Sequence, residues 1–257
     1  LGSFLGILTS VVIAVIFTVQ IAIILAGVFL IVLAILSSKM IVETKFITIA
    51  RDDSSNFEQM KGALRGSLTI IKSNKILLSL AVITLFMGLA SEGFDRLWGA
   101  HFIEGFKMNE EESVYWFGAF YAIAFLLNIG ILKIVETYVK ERFAIVLVLL
   151  NSLLVIVMIY FATAEQFLIA AILYWGIASL RAVNYPLVSV MTNKQLQSQG
   201  RATTLSMYGQ LDAFGQVAGG PLVGVLALYT SVQGGIITSA ILIIPTVYFL
   251  WKLRKIA

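Results

Sequence analysis

Residues 200–229, GRATTLSMYGQLDAFGQVAGGPLVGVLALY, form an apolar run long enough to cross a membrane as one helix. The run also carries one carboxylate, Asp212, with two glutamines, several glycines and a proline. An Asp at the centre of a membrane helix costs roughly 2.5 to 3.5 kcal/mol to insert, whereas a Leu or Ile returns only about 0.3 to 0.6 kcal/mol. We therefore expect this helix to line or abut a polar path through a membrane.

The composition of the whole chain indicates an all-α polytopic membrane protein. Apolar residues make up 60% of the sequence and charged residues only 12%, and the mean hydropathy is +0.97. Charged residues alone average about 25% in soluble domains. Residues 1–36 have neither the basic start nor the cleavage-like end of a signal peptide. The sequence does not begin with Met, so we interpret it as a fragment of a longer transmembrane protein.

The rare residue types limit the chemistry that we expect. With no cysteine and one histidine, the chain offers neither a disulfide framework nor the ligands of a typical metal centre. The net charge of +4 lies in the segments between apolar runs and not on one folded face, so we expect no nucleic-acid partner. We predict no metal and no cofactor.

Eight apolar runs of membrane-spanning length follow one another along the chain, near residues 1–18, 21–38, 76–97, 114–133, 143–162, 166–190, 203–228 and 233–251. Alternating topology places fifteen of the eighteen Lys and Arg residues on one side of the membrane. By the positive-inside rule that side is the cytoplasm. We therefore predict a multi-pass protein of the cell membrane with a cytoplasmic C-terminus.

A long polar interval divides the chain into three parts: residues 1–38 as two helices at the end of an N-terminal bundle, 39–75 as a cytoplasmic linker, and 76–257 as a C-terminal six-helix bundle. Within the linker, apolar residues recur at helical spacing between charged ones, at Phe57, Met60, Leu64, Leu68 and Ile71. This pattern predicts an amphipathic helix at the membrane surface. It would serve either as a tether or as a hinge between two bundles.

The run near 76–97 ends in SEGFDRLW, which places Glu92, Asp95 and Arg96 on one helical face. Glu92 lies about 25 Å along the helix from Lys75, still within the bilayer. We interpret Asp95 and Arg96 as an interfacial ion pair, and Glu92 as a candidate for proton coupling, because carboxylates inside a membrane usually serve a pathway or a pair. His101 follows in a loop, where we expect a solvated side chain, with a proton relay as the alternative.

A second intramembrane charge, Arg181, lies twelve residues before Asn193, and Asp212 lies eleven residues after Arg201. The two charges thus have similar depth on helices joined by a short turn, and we predict that they pair. Asn184 shares the face of Arg181, Gln216 shares that of Asp212, and Pro186 would bend the first helix. Asn128 is a further candidate for a hydrogen bond between helices. We predict that the proton-coupling or substrate-binding residues are Asp212, Arg181, Glu92, Asn184, Gln216 and Asn128.

Small residues line one face of the 200–229 helix, which predicts close helix packing, at Gly215, Gly219, Gly220, Pro221 and Gly224. The first eight residues, LGSFLGIL, align with residues 219–226, GGPLVGVL, six spans later in the same predicted direction. Repeated six-helix units are typical of two-bundle secondary transporters.

With this repeat, the central loop and the GQLDAFGQVAGGPLVG run, the chain resembles a transporter of the major facilitator superfamily from the end of helix 5 to helix 12. The run is similar to the Gly-Pro signature of that superfamily's drug and proton antiporters. The resemblance implies a helical bundle of twelve transmembrane helices, of which about eight are present. The remaining N-terminal helices of the same transporter would then be partners. Helices 5, 8 and 11, near residues 1–18, 114–133 and 203–228, would pack through the glycine face.

No phosphate-binding loop, HExxH or GxSxG motif is present, so we expect neither an enzyme nor an ATP-driven pump. The primary hypothesis is a secondary active transporter, a proton-coupled antiporter for efflux of small organic molecules by alternating access. Its partners would be a small-molecule substrate, protons and the lipid bilayer of the plasma membrane. The alternatives are an ion-independent facilitator or nutrient symporter, in which Arg181 would bind an anionic substrate, and a membrane scaffold or receptor that transports nothing.

Overall fold

The computed structural model describes residues 2–40, 56–196 and 200–255, and in these ranges the chain is almost entirely helical with no strand. The helices in chain order are α1 (Gly2–Ile16), α2 (Val19–Met40), α3 (Asn56–Ser73), α4 (Lys75–Gly105), α5 (Glu110–Tyr138), α6 (Phe143–Ala162), α7 (Phe167–Lys194), α8 (Arg201–Tyr229), α9 (Val232–Ile241) and α10 (Ile244–Leu253). The all-α fold predicted from the composition is confirmed.

Seven segments of the described ranges are long and apolar enough to cross a membrane: α2, α4, α5, α6, α7, α8 and the combined span Val232–Leu253. The first predicted span, α1, is an apolar helix of only 15 residues. The last span divides into α9 and α10 around Leu242 and Ile243. Pro245 accounts for the break, because a proline inside a helix lacks the amide hydrogen and clashes with the carbonyl four residues earlier.

Asparagine side chains fix where two of the long helices begin. Asn74 accepts hydrogen bonds from the backbone N–H groups of Ile76 and Leu77 at the start of α4. Asn109 and Glu112 form a reciprocal capping box at the start of α5. Such caps satisfy the free amides of a first helical turn, which has no carbonyl partners of its own.

One end of the bundle brings together the start of α4, the end of α7 and the start of α8. The Asn74 amide donates to Oε1 of Gln195 at 3.3 Å, and Arg201 donates to Oδ1 of Asn193 at 2.8 and 3.0 Å. Lys194, Arg142 and Arg254 border one cleft at this same end. We call it the basic end, and depth within the bundle is measured from it.

Two groups of buried side chains hold the helices together. Near the basic end, α4, α6, α7 and α10 bury aliphatic residues, among them Leu80, Ile83, Leu147 and Leu250. Towards the opposite end the core is aromatic. The ring centroids of Phe102 and Phe120 lie 4.5 Å apart, and those of Trp98 and Tyr174 lie 4.6 Å apart. Offset and tilted ring pairs of this kind add to the stabilisation from burial.

His101 belongs to this aromatic core and not to a loop, so the expectation of a solvated side chain is wrong. The residue is 2% exposed, and its ring lies 4.8 Å from that of Phe161. Helix α4 continues to Gly105 and reduces the predicted loop to a few residues. The apolar contacts of Phe102 and Phe106 with Phe167 favour this longer helix, because they bury rings that a loop would expose.

The amphipathic helix predicted in the linker is present as α3, which packs on α4 and α8. Ile71 and Ser67 are buried against the bundle, whereas Met60, Leu64 and Leu68 are exposed. The side chain of Phe57 lies outside the described residues, as do linker residues 41–55. The first two helices pack more loosely: α1 lies against α5 and α2, and neither α1 nor α2 buries a residue.

Candidate functional site

A cavity of about 520 Å³ lies in the middle of the bundle, between α4, α5, α6, α7 and α8, with Ile7 of α1 at its edge. We call it the central cavity. It collects six of the residues that the sequence pointed to, five of them predicted for proton coupling or substrate binding: Asp95, Asn128, Arg181, Asn184, Asp212 and Gln216. Aromatic side chains form much of the remaining wall, namely Phe94, Tyr121, Phe125, Tyr174 and Tyr185. A concave apolar site with a few convergent polar groups is the usual form of a small-molecule site.

Arg181 of α7 forms a bidentate ion pair with Asp95 of α4 at one wall of the central cavity. Its two terminal nitrogens donate to the two carboxylate oxygens at 2.6 and 2.7 Å, and the guanidinium also lies over the Phe94 ring, 5.3 Å from the centroid. The predicted pairs of Arg181 with Asp212 and of Asp95 with Arg96 are therefore both wrong. Two parallel N–H···O bonds make this the strongest geometry available to the pair.

The direction of side chains along a helix explains the partner that Arg181 takes. Counting from the basic end, Arg181 lies about 20 Å deep, Asp95 about 30 Å and Asp212 about 17 Å. Side chains lean towards the N-terminus of their own helix. Helix α7 runs towards the basic end and α4 away from it, so Arg181 and Asp95 lean towards each other.

Asp212 leans towards the basic end and therefore away from Arg181, because α8 runs in the same direction as α4. In addition, α8 packs along α4 and makes little contact with α7, although a short turn joins α7 to α8. Similar depth and neighbouring positions in the sequence were therefore insufficient to make Arg181 and Asp212 partners.

Asp212 remains as a carboxylate without a cation. Its Oδ2 accepts a hydrogen bond from Nε2 of Gln216 at 2.8 Å, which confirms that these two residues share a helical face. Among the residues that the structure describes, no Lys or Arg lies within ion-pair distance of it. A carboxylate in this position can take up and release a proton, or pair with a cationic group of a ligand.

Several amide side chains line the central cavity. Nδ2 of Asn151 donates to Oδ1 of Asn184 at 2.5 Å, and both residues are 1% exposed. The sequence reasoning missed Asn151, although an Asn within the apolar run FAIVLVLLNSLLVIVMIYFA of α6 is a signal of its own. Among the described residues, none donates a hydrogen bond to the buried Oδ1 of Asn128. This unsatisfied acceptor in a residue of the cavity wall makes Asn128 a candidate for binding a ligand.

Glu92 lies away from the central cavity. It pairs with Arg96 one turn later at 2.7 Å, in a surface cleft that Gln216, Gly220 and Pro221 also border. The Arg96 side chain is 73% exposed. The geometry thus separates two carboxylates that the sequence left as equal candidates, and it places Asp212 but not Glu92 in the cavity.

The glycine face of α8 packs against α4. A Cβ at Gly215 or Gly219 would overlap backbone atoms of Leu85 or Leu89, so only glycine permits this approach. A Cβ at Gly220 would lie 3.2 Å from Cγ of Glu92, whereas nothing lies within 4 Å of a Cβ at Gly224. Gly215 and Gly219 thus allow a close helix contact, and the contacted helix is α4 and not α1 or α5.

Helices α1 and α5 do pack together, as expected for residues 1–18 and 114–133. Val11 fills the space where Gly118 has no side chain, and the rings of Phe4 and Phe125 stack at 6.2 Å. Helix α7 continues through Pro186 without a break.

A comparison of the chain with models of known protein families gives no match, and neither does a comparison with curated proteins.

Proposed function

We propose that the protein is a secondary active transporter of the major facilitator type that exports small organic molecules in exchange for protons, by alternating access. The seven apolar spans and the central cavity support this proposal, because a site at mid-membrane depth between helices is what such a transporter requires. The chain needs no cofactor for this activity, since an ion gradient supplies the energy.

The single observation that carries the proposal is the position of Asp212. This carboxylate lines the central cavity with a glutamine as its hydrogen-bond partner, and none of the Lys and Arg side chains in the described ranges pairs with it. Keeping an unpaired negative charge at this depth is costly, so protonation and deprotonation change the free energy of the cavity substantially. A site with that property can couple proton binding to a change between two conformations.

The Arg181–Asp95 pair favours this proposal over an anion symporter. Both carboxylate oxygens of Asp95 already accept from the guanidinium, so the pair carries no net charge. An anionic substrate would have to displace Asp95 in order to use Arg181. The cavity as a whole carries one net negative charge, that of ionised Asp212, which suits protons and cationic or neutral molecules.

The glycine contacts between α4 and α8 support a moving bundle. Backbones that touch through glycine leave no interlocking side chains, so two helices can slide or rock by small amounts. The basic end would face the cytoplasm under the positive-inside rule, which places the C-terminus there as well.

The test uses inverted membrane vesicles that contain the full-length protein and hold an acidic interior. Compounds are added one at a time, including the cation ethidium, the neutral molecule chloramphenicol and the anion benzoate, and acridine orange fluorescence reports the pH gradient. We expect at least one non-anionic compound to dissipate the gradient. Asp212→Asn should reduce this proton movement at least tenfold but leave exchange of the compound at equal pH intact.

Glu92→Gln is the matched control, because Glu92 lies outside the central cavity, and it should leave proton movement within twofold of the unmodified protein. If Asp212→Asn and the double variant Asp212→Asn/Glu92→Gln both retain the full pH response, proton coupling through these carboxylates is wrong. Flux of a compound with no pH change in any variant would instead support the ion-independent facilitator.

A further inference from the structure

A second cavity, of about 220 Å³, lies between Asp212 and the basic end. Its wall is formed by α4, α7 and α8, by residues Thr84, Met87, Tyr185, Val188, Ser189, Thr192, Leu205, Tyr208, Gly209 and Asp212. Thr84, Thr192 and Leu205 lie within about three turns of the ends of their helices at the basic end. The cavity therefore extends from the level of Asp212 towards that end.

Asp212 borders both cavities. Met87 and Tyr185 are the other two described residues common to the two walls, so the two cavities adjoin at these three residues. Among the described residues, Asp212 is the one acidic residue in the wall of the second cavity, whereas the central cavity also contains Asp95 with its arginine. The carboxylate of Asp212 thus stands at the boundary between two differently built spaces.

The second cavity has polar residues in a largely apolar wall. Four of its residues carry hydroxyl groups: Thr84, Ser189, Thr192 and Tyr208. Tyr208 donates its proton to the carbonyl of Leu77 at 2.6 Å, and Thr192 donates to that of Val188 at 2.9 Å, so both oxygens remain able to accept. A space of about 220 Å³ accommodates several water molecules, each of which takes about 30 Å³ in the liquid, and water needs polar partners of this kind.

We propose that protons leave Asp212 through the second cavity, towards the basic end, whereas the transported molecule binds in the central cavity. This inference rests on the proposed function and assigns the route of its coupling ion. A proton bound to a carboxylate oxygen of Asp212 passes to water in the second cavity, and the carboxylate becomes ionised again. The transported molecule thus meets the carboxylate from one side, and the proton leaves it from the other.

Besides Asp212, the titratable groups that the described residues place around the two cavities come from α4, α5, α7 and α8. They are Asp95 on α4, Tyr121 on α5, Tyr174, Arg181 and Tyr185 on α7, and Tyr208 on α8. Arg181 is held by Asp95, so Asp212 is the group with a free charge to exchange.

Gly209 offers a way to fill the second cavity without disturbing the bundle. It lines the cavity, and a Cβ built there meets no atom within 4 Å. A leucine at 209 therefore occupies part of the water space. Gly224 of the same helix is the matched control, because a Cβ there also meets nothing within 4 Å and the residue lines neither cavity.

The experiment measures access to position 212 directly and needs no knowledge of the substrate. Asp212→Cys is introduced into the full-length protein in a background free of other cysteines, and the protein is placed in inverted vesicles, whose outer face is the basic end under the proposed topology. The labelling rate by the membrane-impermeant reagent 2-(trimethylammonium)ethyl methanethiosulfonate, added outside, is followed by mass spectrometry. We expect Gly209→Leu to slow labelling at least tenfold. Gly224→Leu and Ala178→Leu, the latter filling the central cavity only, should leave the rate within twofold.

The reverse pattern, slow labelling in Ala178→Leu and normal labelling in Gly209→Leu, would overturn the proposed route. That result would leave proton-coupled transport itself standing, because the vesicle assay tests transport separately. If Asp212→Cys fails to fold, as judged by size-exclusion chromatography, Ser189→Cys replaces it, since Ser189 lines the second cavity alone. Labelling of Ser189→Cys that Gly209→Leu does not change would equally contradict the proposal.

Discussion

Gly88 of α4 lies directly against the backbone carbonyl of Asp212 on α8, so closely that a Cβ atom at position 88 would overlap the carbonyl oxygen. The same contact continues along α8, where Gly215 and Gly219 meet the backbone of Leu85 and Leu89. The carboxylate at the centre of the site thus belongs to a residue whose backbone forms a helix contact that tolerates no side chain. Asp212 therefore takes part both in the packing of α8 on α4 and in the proposed proton coupling.

Gly88→Ala should destabilise the protein, because a methyl group there must push α8 away from α4. Overpacking a close contact costs about 1 to 3 kcal/mol, and here the neighbouring atoms belong to backbone, which cannot rotate aside. The free energy of unfolding, measured by SDS titration in mixed micelles, should fall by this amount. A reduced rate of proton movement should accompany the loss, because Asp212 shifts with its helix.

Gly224→Ala is the control for Gly88→Ala, since a Cβ at 224 meets nothing within 4 Å. It should leave stability unchanged or raise it slightly, because alanine favours a helix over glycine by about 1 kcal/mol. Equal losses in the two variants would show that glycine flexibility, and not the α4–α8 contact, accounts for the effect.

Asp95→Asn should destabilise the protein by leaving the Arg181 guanidinium without its counterion. Removing one partner of a fully buried pair costs about 3 to 5 kcal/mol. Here the side chains of Arg181 and Asp95 are 28% and 50% exposed, so we expect about 1 to 3 kcal/mol. Unfolding of Asp95→Asn, Arg181→Gln and the double variant would give the coupling energy of the pair.

Glu92→Gln is the comparison for Asp95→Asn, because it removes a carboxylate from a one-turn pair with an exposed arginine. Such pairs contribute less than about 1 kcal/mol. A coupling energy near zero between positions 95 and 181 would mean that the bidentate pair adds nothing to stability.

The sequence predicted the helices well because each depends on local composition. Apolar length and the positions of charges are both readable within one segment. The predicted span near 233–251 nevertheless proved to be two helices, although Pro245 was visible as the cause. The end of α4 was misjudged for the opposite reason: distant rings such as Phe161 and Phe167 hold His101 and Phe102 inside, and no local signal near residue 101 reports them.

In the candidate site too, the sequence identified the residues but not how they pair in space. Polar residues inside apolar runs identified Asp212, Arg181, Asn184, Gln216 and Asn128, and all five line one cavity. The pairing among charges could not be predicted, since it depends on which helices touch and on the direction in which each runs. Asp95 illustrates this: it lies beside Arg96 in sequence, yet it binds Arg181 across the bundle.

The hydrogen bond between Asn151 and Asn184 provides the third prediction, because it joins α6 to α7 next to the central cavity. Hydrogen bonds between membrane helices contribute about 0.6 kcal/mol on average and up to about 1.7 kcal/mol. We expect a coupling energy in this range from Asn151→Ala, Asn184→Ala and the double variant, measured by SDS titration.

Asn128→Ala is the matched control. The buried Oδ1 of Asn128 has no hydrogen-bond partner among the described residues, so its removal should cost no hydrogen bond and leave stability nearly unchanged. The same variant should weaken binding of a transported compound, because it removes an acceptor from the cavity wall. A loss of stability in Asn128→Ala as large as that in Asn184→Ala would contradict the assignment of Asn128 to ligand binding.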